Sequence, residues 1–160
     1  MKYIVSLLIS LILSGCSMQK SNIQTIEYEA GACFGYCPMF KMVINSDRTA
    51  AIEAERFTFS KPENRDWNTE NPEGTFTATI KEAQFNRLNK LINDANLKSL
   101  KDFYGNKNVT DLPTSHLTVT YSDGSKKHIE DYGKYGTDAL HEIYTALEDL
   151  RENQSWVRIK

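Results

Sequence analysis

Apolar residues at every second position mark six short segments of the chain, a pattern typical of strands that bury one face. Ile26 and Tyr28 alternate with polar neighbours in the first segment, and Phe40, Met42 and Ile44 do the same in the second. The pattern therefore predicts six strands, which cover 23–30, 40–44, 50–54, 74–80, 116–121 and 126–131.

The third predicted strand is followed by a change of phase. Phe57 and Phe59 fall on the opposite parity from Ile52 and Ala54. Since a β-bulge inserts one extra residue into a strand, a bulge near Glu55 would return both phenylalanines to the buried face.

Two segments have the helical period instead. In 82–95 the apolar residues recur at spacings of three and four, and the same holds for 137–152. Each segment has a single apolar stripe, so each predicted helix covers one face of a sheet. The sequence therefore predicts an α+β domain of two layers, with a mainly antiparallel sheet and the element order β-β-β-β-α-β-β-α.

The last two predicted strands form a hairpin around Ser122-Asp123-Gly124. A three-residue loop with Gly124 in the left-handed conformation places Leu117 opposite Ile129. In this register His116 and His128 share the outer face as diagonal neighbours. Two imidazoles there are either metal ligands or part of a solvated polar face, and the sequence favours the polar face.

The N-terminus has the features of a lipoprotein signal peptide. A short apolar run over 3–13 follows Lys2, and it is too short to span a bilayer. It ends in Leu13-Ser14-Gly15-Cys16, which resembles the bacterial lipobox. We therefore expect residues 1–15 to be removed, Cys16 to carry lipid, residues 16–22 to form a linker, and residues 23–160 to form one domain. Ser17, in place of Asp, favours the outer membrane.

Composition narrows the function classes. A net charge of −2 with 25% charged residues gives no argument for nucleic-acid binding. No nucleophile, phosphate-loop or dinucleotide motif is present in the sequence. His141-Glu142 begins a zinc-protease pattern, but Thr145 stands where the second histidine is needed. We expect no catalytic residue, no bound metal and no cofactor, and a membrane anchor with an envelope protein as the possible partner.

Cys33 and Cys37 are the most distinctive residues of the expected domain, because they enclose only three residues and precede Pro38. Such a pair can form a structural disulfide, a redox or soft-metal site, or two inert thiols. Export to an oxidising compartment favours the disulfide, since lipid would consume the third cysteine, Cys16. Phe34 and Tyr36 would then be presented on the closed loop as a partner-contact patch.

The spacing of the two cysteines also resembles the copper-binding motif of Sco-type thioredoxin-fold proteins. In that family the motif lies between a strand and a helix, whereas here the residues after Pro38 predict a strand. A periplasmic copper-binding or redox protein that uses Cys33 and Cys37 is therefore the alternative to a non-enzymatic envelope lipoprotein.

A second resemblance covers about residues 26–150. The pattern Cys-x-Gly-x-Cys-Pro-x-Tyr before a strand, followed later by Thr-Asp-x-Pro, resembles a family of bacterial envelope lipoproteins that is known as a domain of unknown function. The matching residues are Cys33, Gly35, Cys37, Pro38, Thr110, Asp111 and Pro113. Phe40 replaces the tyrosine, and Arg48 replaces a turn glycine. The resemblance implies the fold class and the envelope setting, and it assigns no activity.

Overall fold

The computed structural model describes residues 22–66, 68 and 72–159. The predicted signal peptide, Cys16 and Trp67 lie outside these residues. The strands are β1 Ile23–Ala30, β2 Phe40–Asn45, β3 Thr49–Ala54, β4 Gly74–Thr79, β5 Phe103–Tyr104, β6 Thr114–Tyr121, β7 Lys126–Tyr132 and β8 Val157–Arg158. The helices are α1 Glu82–Asp94 and α2 Asp138–Asn153, and short 3₁₀ turns cover Pro62–Asn64 and Leu97–Ser99.

The eight strands form one sheet in the order β5-β7-β6-β1-β2-β3-β4-β8. All pairs are antiparallel except β5 with β7. The predicted α+β class is confirmed, and the six predicted strands are all present. The sequence pattern missed β5 and β8 because each has only two residues, too few for any alternation to show.

The core lies between the sheet and the two helices. Along β2 and β3 every second side chain is buried, as the period-two pattern requires. The helices contribute their apolar stripes, including Leu88 and Ile92 from α1 and Leu140, Ile143 and Leu147 from α2. The outer face of the sheet therefore carries mainly polar side chains. No helix in the described part of the chain is long and apolar enough to cross a membrane.

The hairpin has the predicted register. Leu117 pairs with Ile129, and both side chains are fully buried. Gly124 has φ 81°, in the left-handed region that a three-residue loop requires. His116 pairs with Glu130 and His128 with Thr118, so the two histidines are diagonal neighbours on the outer face as predicted.

Gly124 offers a test of backbone strain without steric clash. A Cβ atom added at Gly124 would meet no other atom within 4 Å, so substitution costs only the left-handed backbone. Gly124→Val should lower the free energy of unfolding by about 1 kcal/mol or more, because β-branched residues are strained there. Gly124→Asn is the matched control, since asparagine tolerates this conformation. Equal stability of both variants in urea unfolding would show that Gly124 is not needed for the turn.

The predicted β-bulge after β3 is confirmed. The Glu55 N–H donates to the Met39 carbonyl and the Met39 N–H donates to the Arg56 carbonyl, both at 3.0 Å, so two residues oppose one. The chain then turns at Phe57, which has φ 62°, and both Phe57 and Phe59 pack against the core. Beyond α2, Trp156 packs against the core, whereas Ile159 is 59% exposed and continues the edge of the sheet, where its N–H donates to the Thr75 carbonyl.

Candidate functional site

The cysteine loop, residues 31–39, connects β1 to β2 at one end of the sheet. The sulfur atoms of Cys33 and Cys37 lie at disulfide distance, and their Cα atoms are 5.8 Å apart, within the range that a disulfide allows. Gly35 has φ 133°, a conformation that favours glycine. The structure is thus compatible with the predicted pairing, whereas the oxidation state of Cys33 and Cys37 stays a prediction.

We call the two parts of the chain that match the family pattern, 33–38 and 110–113, the signature segments. The second of them packs against the cysteine loop. The Phe34 N–H donates to the Asp111 carbonyl at 3.1 Å, and the Gly31 N–H donates to the Thr114 carbonyl at 2.8 Å. Asp111 has φ 66°, and its side chain accepts a hydrogen bond from the Thr110 hydroxyl at 3.0 Å. Aspartate is one of the few residues that tolerate the left-handed conformation, so Asp111 shapes the turn that holds Phe34.

The residues after β3 hold the other side of the cysteine loop. The Tyr36 ring meets the Phe57 ring edge to face, with centroids 5.6 Å apart. The Arg65 guanidinium donates to the Tyr36 carbonyl at 3.4 Å. The Thr58 hydroxyl, which is fully buried, donates to the Met39 carbonyl at 2.6 Å. The cysteine loop is therefore held from two sides, in addition to the predicted cross-link between Cys33 and Cys37.

The connection between β7 and α2 completes the same end of the domain. The Gly133 N–H donates to the Pro113 carbonyl at 2.8 Å, and the Tyr132 hydroxyl donates to the Val109 carbonyl at 2.8 Å. A Cβ atom added at Gly133 would lie 2.7 Å from the Leu112 side chain and 2.8 Å from the Tyr135 ring. Because Gly133 has no side chain, the Tyr135 ring can lie beside the turn that contains Leu112.

This end of the domain concentrates exposed apolar surface. We use the name aromatic surface for Phe34, Tyr36, Val109 and Tyr135, which are 90%, 47%, 38% and 56% exposed. Six large apolar side chains are exposed in the described part of the chain, and the other two, Val157 and Ile159, lie at the β8 edge. Exposed aromatic side chains on well-ordered loops are typical of protein–protein interfaces.

A polar layer lies in the core beneath this end. The buried Tyr28 hydroxyl donates to Glu148 Oε1 of α2 at 2.8 Å and is 3.1 Å from Ser115 Oγ of β6. Since the tyrosine proton goes to Glu148, the serine hydroxyl donates to the tyrosine oxygen. Lys134 Nζ also donates to Glu148 Oε1, at 2.6 Å. These bonds join β1, β6, α2 and the loop that carries Tyr135.

Burial governs the ionisation of the two tyrosines in this region. Desolvation, with the neighbouring Glu148 charge, raises the pKa of Tyr28 well above its usual value. Desolvation, with the neighbouring Asp131 carboxylate, raises the pKa of Tyr144. Both hydroxyls are therefore neutral in the folded protein over the physiological pH range.

These raised pKa values predict a loss of stability in alkali. The contribution is fully present below the unfolded tyrosine pKa of about 10 and is lost as pH rises above it, because only the unfolded chain can then ionise. At pH 11 the native protein should show at least two fewer tyrosinates by absorbance than the protein in urea. Tyr144→Phe should reduce that difference by one. Equal tyrosinate counts in the native and unfolded protein would contradict the assignment.

The other residues that the sequence suggested as metal ligands or catalytic groups do not come together at this end of the domain. No group of three or more His, Cys, Asp or Glu side chains among the described residues is arranged to hold a metal ion, so Cys33 and Cys37 have no such third ligand in that part of the chain. His141 is exposed on α2, and its Nε2 lies 2.5 Å from the Lys134 carbonyl. Asp66 accepts a hydrogen bond from the Asn68 N–H, as expected of a solvated loop.

Of the aromatic surface, the sequence predicted Phe34 and Tyr36 but not Tyr135 or Val109. It also did not predict the ion pair of Lys134 with Glu148. A signal for Tyr135 was present, because glycines at 133 and 136 flank it as Gly35 flanks Tyr36. An aromatic residue between glycines in a polar loop has little to pack against locally. No local signal could have linked Lys134 to Glu148, which is fourteen residues away on a helix.

Comparison with known proteins gives a family without an assigned activity. No curated protein matches the chain. The family described as "Domain of unknown function (DUF6438)" matches residues 24–151, most of the chain. This match spans both signature segments and every strand from β2 to β7. The chain therefore belongs to the DUF6438 family of domains of unknown function.

Proposed function

We propose that this chain is a non-enzymatic lipoprotein of the bacterial cell envelope whose cysteine-loop end binds a partner protein. The observation that carries the binding role is the aromatic surface, which gathers four of the six exposed large apolar side chains of the described residues at one end. The lipobox sequence Leu13-Ser14-Gly15-Cys16 supports the envelope setting.

The aromatic surface is held in place before any partner arrives. Phe34 is 90% exposed, yet its backbone N–H donates to the Asp111 carbonyl, and its neighbour Cys33 lies at disulfide distance from Cys37. Binding by a pre-ordered loop costs less conformational entropy than binding by a mobile one. A fixed, exposed aromatic side chain is therefore suited to be the anchor of an interface.

The position of the N-terminal tether also supports the aromatic surface as the partner-binding surface. Asn22 precedes β1, and its carbonyl accepts a hydrogen bond from the Ser122 N–H at the β6–β7 turn. The cysteine loop follows the other end of β1, a strand of eight residues or about 25 Å. A domain anchored through Cys16 would thus present the aromatic surface on the side away from its point of attachment, which favours a protein over the anchoring membrane.

The anchor is tested by mass spectrometry of the membrane fraction. We expect an acylated N-terminal Cys16 and loss of residues 1–15. Dual or triple acylation anchors a protein stably, so Cys16→Ala should release it from the membrane. A Cys16→Ala protein that stayed equally membrane-bound would refute the lipoprotein assignment.

The binding surface is tested by photo-crosslinking in intact cells. A photo-reactive amino acid placed at 34 or 135 should give the same specific adduct, because both positions lie on the aromatic surface. Position 90 is the matched control, since Lys90 is an exposed side chain on α1, 75% accessible and away from the cysteine loop. Tyr36→Ser should weaken the adduct from position 34. Identical adducts from position 90 would refute a localised interface.

A further inference from the structure

Two histidines meet on the outer face of the sheet, which the helices do not cover. His116 of β6 and His128 of β7 are diagonal neighbours in the antiparallel register. Their ring centroids are 5.8 Å apart, and the ring planes are inclined by only 20°. Both rings line a groove of about 210 Å³ that opens to solvent. The partner-binding role proposed for the cysteine-loop end does not involve these two histidines.

The hydrogen bonds leave ring nitrogens available to a ligand. His128 Nδ1 lies 2.9 Å from Thr118 Oγ1. When Nδ1–H donates to a hydroxyl, Nε2 of the neutral ring carries the lone pair that metals bind, an arrangement common around metal-binding histidines. The His116 backbone pairs with both neighbouring strands, but its ring makes no hydrogen bond within the described part of the chain, so the ring can turn about χ2.

The separation of the rings suits one shared ion. A ring nitrogen binds a transition metal at about 2.0–2.1 Å, which puts the ring centre about 3 Å from the ion. Two rings that share an ion therefore have centres no more than about 6.5 Å apart. The observed 5.8 Å meets this limit. Because the nitrogen lone pairs lie in the ring planes, which are nearly parallel here, binding of one ion would turn the His116 ring about χ2.

Charges around the pair favour a cation on balance. Glu29 of β1 and Glu130 of β7 pair with His116 from its two sides. Lys41, which pairs with Glu29, opposes a cation. The ionisable side chains on this face include Glu27, Glu29, Glu53 and Glu130 against Lys41, Lys107 and Lys126, so carboxylates outnumber ammonium groups.

We propose that His116 and His128 form a two-histidine site for a divalent transition-metal ion. Imidazole suits Zn²⁺, Ni²⁺ and Cu²⁺, and Cu²⁺ is bound most tightly in this series. No set of three or more metal-binding side chains surrounds one point among the described residues, so water fills the remaining positions. The site is independent of the proposed partner surface.

Cu²⁺ itself is the probe that tests this site. The full-length protein is titrated with Cu²⁺ by calorimetry and electron paramagnetic resonance, in a Cys16→Ser background that removes the one cysteine outside the Cys33–Cys37 pair. We expect one Cu²⁺ per chain with two nitrogen ligands. His116→Gln and His128→Gln should each weaken binding at least tenfold, because either change leaves a single imidazole.

His141→Gln is the matched control, since His141 is an exposed histidine on α2. It should bind Cu²⁺ as the parent protein does. Cu²⁺ should also raise the unfolding temperature of the parent and of His141→Gln, but not that of the other two variants. Equal affinity in all three variants, or a loss confined to His141→Gln, would overturn the proposal. Unchanged unfolding temperatures without metal exclude misfolding as the cause.

Discussion

Replacing Tyr28 by alanine is expected to lower the free energy of unfolding by about 4 kcal/mol, the usual range for a buried aromatic residue. The Tyr28 side chain is 1% exposed and lies at the centre of the core. Its ring stacks on Tyr144 at 5.6 Å and meets Phe40 edge to face at 5.7 Å. Alanine would leave a cavity between the sheet and α2 and would remove a bond to Glu148.

Urea unfolding of two further variants separates these contributions. Tyr28→Phe keeps the ring and removes the hydroxyl, so it should cost about 1–3 kcal/mol, because Ser115 loses the Tyr28 hydroxyl and Glu148 keeps only its bond from Lys134. Tyr135→Ala is the matched control, because Tyr135 is 56% exposed, and it should change stability by less than about 0.5 kcal/mol. A Tyr28→Ala protein within about 1 kcal/mol of the parent would contradict the packing described for β1 and α2.

Removal of the disulfide has the second largest expected effect. The double variant Cys33→Ser, Cys37→Ser should lose about 2 kcal/mol of stability, since closing a loop this short restricts the unfolded chain only modestly. The larger change should be local. The Phe34 amide, bonded to Asp111, should lose its protection from hydrogen exchange when the loop opens.

Reduction of the parent protein with dithiothreitol should reproduce the effect of the double variant. Amides of β6, such as that of Val119, serve as the internal control, because they lie in the buried centre of the sheet. Unchanged exchange at Phe34 in the reduced protein would show that the loops around it, and not the cross-link, hold the cysteine loop.

Much of the fold could be predicted because the buried face of each long strand imposes its own period. The register of the hairpin followed from one glycine, since a change of one residue would have moved Ile129 to solvent. The bulge after β3 followed from the change of parity at Phe57. The left-handed turn at Phe57 could not be predicted in this way, because alternation shows which side chains are buried and not the backbone conformation of the turn.

The candidate site was predicted only in part, for a physical reason. Cys33, Phe34 and Tyr36 lie close together in sequence, so local chemistry shows them. The bond from Phe34 to Asp111 joins residues far apart in the chain, and nothing in either segment alone requires it. Tyr135 reaches the same surface through Gly133, which is again a tertiary contact.

Alkylation of freshly isolated, unreduced protein tests most directly whether Cys33 and Cys37 are a structural disulfide that holds the aromatic surface. Mass spectrometry should find neither cysteine alkylated before reduction and both alkylated after it. Two alkylated cysteines in the unreduced protein, together with tight Cu(I) binding that is lost in Cys37→Ser, would contradict this role and would establish a thiol-based metal site instead.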